Sequence, residues 1–408
     1  QSLRSTTLKF LNIKLGLTKL PFSINYERLY QTKKPFLKRK HIMIIGIPKE
    51  IKPDEYRVAI VPSGVEELVK HGHVLLVEKG AGLGSSIPDL EYERAGAKML
   101  GKSEEIYNQA QLIVKVKEPL PVEYPFLKEN QTVFTFFHFA ASKSLTEAII
   151  KANIVAIAYE TIRDACGQHP ILTPMSEVAG RMSIQEGAKY LEKPMHGRGI
   201  LLGGVPGVAP AEVVIIGGGV VGSNAAKVAA GLGARVAVLD VNMERLRHLD
   251  DIMPKNVVTL MSNVQNVRQK VKDADLLVGA VLVEGGRAPY VVSKDMVQTM
   301  KPGAVIVDVA IDQGGCVETS KPTTHSNPVY MVNNVIHYCV TNIPGAVACT
   351  STHALTNVTL PYVSEIAGKG CERAARENPA IKRGLNVVKG AVVNQMVADV
   401  FGMKCVVM

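Results

Sequence analysis

Val213-Val-Ile-Ile-Gly217-Gly-Gly219-Val-Val-Gly222 opens a segment that runs on to Asp240. Val213 to Ile216 is a β-branched apolar run of the kind that forms a buried strand. Glycines then break it, and Gly217, Gly219 and Gly222 match the spacing G-x-G-x-x-G. A helix pattern follows from Val220 to Ala230, then a second apolar strand from Arg235 to Leu239, ending in Asp240. Strand, glycine turn, helix, strand and acid is the order of a dinucleotide site. The first glycine makes the tight turn and the second lets backbone approach a pyrophosphate. The third lets helix pack on strand, and the helix N-terminus offers unpaired N–H groups to the phosphates. An acid about twenty residues on accepts the ribose hydroxyls. Asp240 stands there and favours NAD over NADP, because a carboxylate repels a 2′-phosphate; the nearest arginines, Arg245 and Arg247, lie past the strand end.

At 408 residues the chain is too long for one ordinary core, which implies two domains plus extras. No apolar run reaches the roughly 20 residues that a membrane helix needs. Six cysteines with no C-x-x-C pair read as reduced thiols of a cytosol-like compartment, not as a disulfide frame or zinc site. The formal charge of +10 sits at one end: residues 1–42 carry ten Lys or Arg and one acid, Glu27. The rest is nearly neutral and gives no sign of a nucleic-acid surface. Residues 1–42 suit either an organelle transit peptide or a dispensable extension, and the fold begins at Met43.

From Met43 strands and helices alternate. Strands are expected at Met43–Ile47, Val74–Val77, Leu112–Val116, Thr132–Phe137 and Ile154–Ala158, with helices at Pro62–His71, Glu91–Ala97 and Ser142–Lys151 between them. Thr173-Pro174 reads as the N-cap and first position of a helix running to about Leu191, with Glu177 in its first turn. This helix is a candidate crossing between domains. After the glycine segment come a helix at Met243–Leu249, a strand at Val257–Met261 and a helix to Lys272. Further strands are expected at Leu276–Ala280, Ala304–Ile311 and His337–Thr341, and the chain from about Ala348 reads as helices that cross back. The expected fold is α/β: two Rossmann-like, doubly wound domains with mainly parallel sheets, joined by crossing helices. The boundaries read as 43–172 with 348–408 for one domain and 173–347 for the dinucleotide domain.

Ligands of open α/β sheets sit outside the carboxyl ends of the strands. Lys117, His138 and Asp312 each follow a buried-looking strand, and Arg57 lies in the loop after the first one. Arginine can hold a carboxylate bidentately, lysine can polarise a carbonyl oxygen, and histidine can pass protons near neutrality. Each also has a plainer reading. Arg57 could form a surface ion pair, and Lys117, two residues after Lys115, could be exposed at a strand end. His138 in Phe136-Phe-His-Phe139 could be a satisfied core histidine, and Asp312 could cap a turn.

These residues stand in longer motifs: Gly46-Ile-Pro-Lys-Glu50, Tyr56-Arg-Val-Ala59, Lys115-Val-Lys-Glu-Pro119 and Phe136-Phe-His138. Pro174-Met-Ser-Glu-Val-Ala-Gly180, Gly203-Gly-Val-Pro-Gly207, Asp312-Gln-Gly-Gly-Cys316, Lys321-Pro-Thr-Thr324 and Thr350-Ser-Thr-His-Ala-Leu-Thr356 join them. Together, over residues 43–408, they resemble the alanine dehydrogenase family, whose relative, the transhydrogenase α-subunit, shares the arginine loop and glycine fingerprint. The resemblance implies reversible oxidative deamination of L-alanine to pyruvate and ammonium with NAD, in a cytoplasmic homohexamer. It implies substrate contacts at Arg57 and Lys117, a proton donor and acceptor at His138, and a second catalytic residue at Asp312. It implies cofactor contacts at Ser176, Val220, Val221, Asp240, Arg245, Ser262, Val281, Leu282, Val309, Ala310, Ile311, Asp312, Lys321, Val340, Thr341, Asn342 and Ile343, beside Gly217, Gly219 and Gly222. Some members carry a carboxylate–histidine metal pair where Glu365 and Lys369 stand; lysine is a poor ligand, so no metal is expected. The competing readings are a hydride-passing transhydrogenase fragment, which needs a membrane partner, and a non-catalytic NAD-binding scaffold, which predicts damaged catalytic positions.

Overall fold

A computed structural model describes residues 41–281 and 288–407. Leu282 and nearly all of the 1–42 extension therefore lie outside the described residues. Two sheets organise the chain. The first contains β1 (Ile44–Ile47), β2 (Val74–Glu78), β3 (Lys98–Leu100), β4 (Leu112–Val114), β5 (Thr132–Thr135) and β6 (Val155–Ala158), and later β14 (Leu385–Val388) and β15 (Ala391–Val392). Its order is β15-β14-β6-β5-β4-β1-β2-β3, parallel from β6 to β3 and antiparallel at the β14 and β15 edge. The second contains β7 (Glu212–Ile216), β8 (Arg235–Asp240), β9 (Val257–Met261), β10 (Leu276–Gly279), β11 (Val305–Asp308), β12 (Val329–Val332) and β13 (Val335–Tyr338). Its order is β12-β13-β11-β10-β7-β8-β9, with only β12 antiparallel.

Both sheets are buried on both faces. In β7, Val213 and Ile215 face one core while Val214 and Ile216 face another, the two-residue period of a strand covered on each side. In each sheet the winding reverses between two parallel strands, β1 and β4 in the first and β7 and β10 in the second. Crevices at such reversals are where doubly wound sheets bind ligands. Two long helices, Leu172–Tyr190 and Ala348–Lys369, connect the domains and pack on each other.

Several local expectations change. The first crossing helix starts at Leu172, so Thr173 lies inside it; its hydroxyl donates to the His169 carbonyl (2.9 Å) instead of capping, and Glu177 falls beyond the first turn. The strand expected through Ile311 stops at Asp308, whose carboxylate accepts the Ala310 N–H and turns the chain into a 3-10 helix, Val309–Gln313. Asp312 therefore rides on a turn, past the strand tip. β4 and β5 likewise end at Val114 and Thr135, ahead of Lys117 and His138. The C-terminal part is not wholly helical: β14 and β15 form a hairpin through Lys389 and Gly390, both at positive φ, and extend the first sheet.

Two glycines mark how tightly the crossing helix fits. A Cβ on Gly180 would lie 2.2 Å from the Val221 carbonyl oxygen, where this helix crosses the one after the glycine turn. A Cβ on Gly231, the last residue of that second helix, would meet nothing within 4 Å. Gly180→Ala is expected to lose roughly 1–3 kcal/mol of unfolding free energy through overpacking. Gly231→Ala is expected to be neutral or up to about 1 kcal/mol more stable. Denaturant titration of both variants checks the pair; equal effects would contradict this packing.

Candidate active site

The site residues of the first sheet cluster at its reversal. Arg57 is 2% exposed, although sequence alone left it open to a surface role. Its Nε and Nη2 each donate to one oxygen of Glu55 at 2.6 Å, and Nη2 also donates to Asn342 Oδ1 at 2.8 Å. Among the described residues Nη1 meets only the Met175 sulfur, at 3.0 Å, a weak acceptor. The bidentate edge is thus taken by Glu55, and Nη1 is the donor left to face a ligand. Burial would raise the Glu55 carboxyl, but the Arg57 charge and hydrogen bonds, with Lys117, hold it at about 2. Asn342 also donates to Glu55 (3.0 Å), so this knot ties the first sheet to the segment following β13 in the second.

Lys117 is half-buried, and its ammonium has no hydrogen-bond or ion-pair partner among the described residues. Burial, then the neighbouring Arg57 charge, lowers its pKa; Glu55 and Asp312 act the other way. By contrast Lys115 is fully buried between Glu123 (2.9 Å) and Glu50 (3.3 Å) and is structural.

His138 sits at φ +52°, in the left-handed region. Its N–H donates to Glu160 Oε1 (2.6 Å), and that of Phe137 to Oε2 (3.3 Å). The imidazole stacks on Phe136 with ring centres 5.6 Å apart and is exposed, so it is not a core histidine. Desolvation by the protein around it, and then the Lys117, Lys52 and Arg57 charges, lower its pKa from the ordinary value. Burial raises Glu160 to about 7, with the N–H groups around it pulling the other way. Asp312 faces this group from the second sheet: burial raises its carboxyl, while the Lys117 charge, the Asn342 N–H and Lys52 lower it. Arg57, Lys117, His138 and Asp312 therefore share one electrostatic neighbourhood.

At the reversal of the second sheet, Gly217 adopts φ +101°, and a Cβ there would lie 2.5 Å from the Ala280 carbonyl oxygen of the next strand. A Cβ on Gly222 would lie 1.8 Å from the Gly217 carbonyl oxygen. No atom of the described residues lies within 4 Å of where a Cβ on Gly219 would stand, directly before the Val220–Gly231 helix. The first-turn N–H groups of that helix have no intrahelical acceptors, so an open cradle of donors results. Asp240 flanks it, its oxygens accepting from Gly218 N (2.6 Å) and Asn242 N (2.8 Å). Arg245 borders the same turn, and the Ser262 N–H donates to the Asp240 carbonyl. Val281, Val309 to Asp312, and Val340 to Ile343 follow the ends of β10, β11 and β13, along the same edge. Val220 and Val221 open the helix, Ser176 lies next to Met175 on the crossing helix, and Lys321 is exposed beside Ser320, whose hydroxyl donates to Asp308.

Sequence reasoning gave no role to Lys52, Glu50, Glu55 or Glu160. Glu55 was detectable as the acid two residues before Arg57, and Glu160 as the acid ending a strand. Glu365 and Lys369 pair with each other at 2.7 Å. A cavity of about 910 Å³ lies elsewhere, at the opposite edge of the first sheet by Gln111, Thr132 and Val155, and contains none of these residues.

Removing Glu55 leaves Arg57 buried and unpaired. Glu55→Ala is expected to cost roughly 3–5 kcal/mol in chemical denaturation. Because its folded pKa is depressed, the Glu55 contribution is complete above the ordinary value of 4.5 and is lost as pH falls through about 2. The stability gap between the native chain and Glu55→Gln should close over that window; a gap independent of pH would contradict the pairing.

Models for the two halves of one family match the chain: alanine dehydrogenase/PNT, N-terminal domain, over residues 46–179, and the C-terminal domain over residues 183–395. The chain is 58% identical over 357 residues to an alanine dehydrogenase of Methanococcus maripaludis, covering 87% of this chain and 96% of that protein. It is similar to a solved L-alanine dehydrogenase structure, with a TM-score of 0.86 and 49% identity, over 88% of this chain and 99% of the other. A transhydrogenase structure from Sinorhizobium meliloti is more distant, with a TM-score of 0.74 and 26% identity, over 86% and 99% of the two chains. The chain belongs to the alanine dehydrogenase/PNT family.

Proposed function

We propose that this protein is an NAD-dependent alanine dehydrogenase, converting L-alanine, NAD and water to pyruvate, NADH and ammonium, reversibly. The observation that carries the reading is that Lys117, without an ion-pair partner among the described residues, and His138 stand past the tips of adjacent strands of the first sheet, with Asp312 on the turn after β11 of the sheet that bears the glycine cradle. We assign residues 43–172 and 348–408 to the substrate domain and 173–347 to the NAD domain. The cradle fits a pyrophosphate, and Asp240 keeps lone pairs for ribose hydroxyls, which favours NAD. We further assign cofactor contacts to Ser176, Arg245, Ser262, Lys321 and the segments after β10, β11 and β13. NAD, when bound, supplies the hydride acceptor.

The chain's residues do the rest. Lys117 and Arg57 Nη1 hold the substrate carboxylate and carbonyl oxygen, fixing the α-hydrogen toward the cofactor by orientation. Arrival of that negative charge offsets Lys117, Lys52 and Arg57, and so raises the His138 pKa toward its working range. In the oxidative direction the α-carbon loses hydride and becomes an iminium. His138 takes a proton from the attacking water, giving a carbinolamine, and returns that proton to nitrogen. As the C–N bond breaks, His138 takes the hydroxyl proton, so that the carbonyl of pyruvate forms and ammonia leaves, to be protonated to ammonium. Asp312 stabilises the cationic nitrogen in transit. A homohexamer in the cytoplasm completes the proposal.

NADH oxidation should require both pyruvate and ammonium and should prefer pyruvate to glyoxylate and 2-oxobutyrate. A transhydrogenase-like protein would not need ammonium. His138→Ala should lower kcat by about 10²–10⁴-fold while NADH binding, followed by fluorescence, stays near the native value. Near-native turnover in that variant would remove His138 from the proton path.

A further inference from the structure

We propose that Glu50 and Glu160 are positioning residues for Lys117 and His138, each collecting the N–H of the site residue and of the residue before it. The proposal rests on the dehydrogenase reading above. Both site residues lie beyond the ends of their strands, and their N–H groups take glutamate oxygens as acceptors instead of ladder carbonyls. Glu50 leaves the tip of β1, the neighbour of β4, and its Oε1 accepts from Val116 (2.6 Å) and Lys117 (3.3 Å). Glu160 leaves the tip of β6, the neighbour of β5, and accepts from Phe137 and His138. The same relation thus occurs twice in one sheet. Thr135 joins the two segments, its hydroxyl donating to the Lys117 carbonyl at 2.8 Å.

Each carboxylate answers a different local need. His138 holds a left-handed backbone that a bulky residue avoids, and the short bond to Glu160 offsets that preference. With φ fixed there, the ring lies on Phe136 and stays exposed. Glu50 is itself fixed through Lys115 and, beyond it, Glu123, which also accepts from Tyr107. Lys117 consequently stands on a backbone braced from below while its ammonium stays free.

The two roles predict opposite kinetic signatures, which general destabilisation would not produce. Glu160→Ala should lower kcat for pyruvate amination by roughly 100-fold while KM for pyruvate stays within about threefold. The solvent isotope effect on kcat should grow as proton transfer becomes limiting. Glu160→Gln keeps one acceptor oxygen and should fall between Ala and native. Glu50→Gln, chosen because it is milder than Ala beside Lys115, should raise KM for pyruvate by about tenfold with kcat within about threefold. NADH affinity should hold in all three. Folded variants with native kcat, KM and isotope effect would overturn the positioning roles, as would losses only in proportion to the unfolded fraction. A native chain without ammonium-dependent turnover would overturn the functional reading itself.

Discussion

One interaction recurs at four places where this chain turns away from a strand: a buried or half-buried carboxyl group accepting backbone N–H groups. Parallel strands satisfy their own backbone through their neighbours, but residues just past a strand tip have no such partner. Glu50 takes the N–H groups of Val116 and Lys117, Glu160 those of Phe137 and His138, and Asp240 those of Gly218 and Asn242. Asp308 takes those of Ala310, Cys316 and Val317, together with the Ser320 hydroxyl. Charge-assisted bonds of this kind are short and roughly twice as strong as neutral ones. They let irregular backbone be as fixed as the sheet it leaves.

This arrangement gives the cleft its chemical character. The carboxyl groups of Glu50, Glu160 and Glu55 are spent on backbone and on Arg57, so the polar groups left exposed or half-buried past the strand tips are Lys117, the His138 imidazole and the Asp312 carboxyl. A cation without a counter-ion is costly to keep, and it attracts a small carboxylate substrate. The second sheet repeats the logic for a larger anion: its glycines clear space before a helix N-terminus, and Asp240 braces the turn from the side. Arg57, Glu55 and Asn342 then join the two sheets at the cleft, so that binding in one half is coupled to the geometry of the other.

Much of this was legible in the residues. The glycine segment and the alternation of apolar runs dictate two doubly wound sheets, and Arg57, Lys117, His138 and Asp312 stand out as polar residues after strands. What escaped was fine structure set by side-chain contacts far apart in sequence. Strand tips were placed too late because the residues beyond them, among them Val116, Phe136, Phe137, Ala310 and Ile311, are buried and continue the apolar runs after the strands have ended. The bracing role of Glu50 was invisible because Glu50 and Val116 are 66 residues apart and only the parallel pairing of β1 with β4 brings them together. The β14–β15 hairpin did carry a signal, Lys389-Gly390 between short apolar runs, but helices on its N-terminal side obscured it.

The central claim is that carboxylates hold the cleft-facing backbone rigid before any ligand arrives. Residue-resolved hydrogen exchange on the ligand-free protein tests it most directly. The Lys117 and His138 amides should exchange in the slow class of the neighbouring strand amides. The Cys166 amide, bonded to Asp164 in an exposed loop, should exchange fast. If Lys117 and His138 exchanged as fast as Cys166, the site would be ordered only by its substrate, and a cleft pre-organised by its carboxylates would be ruled out.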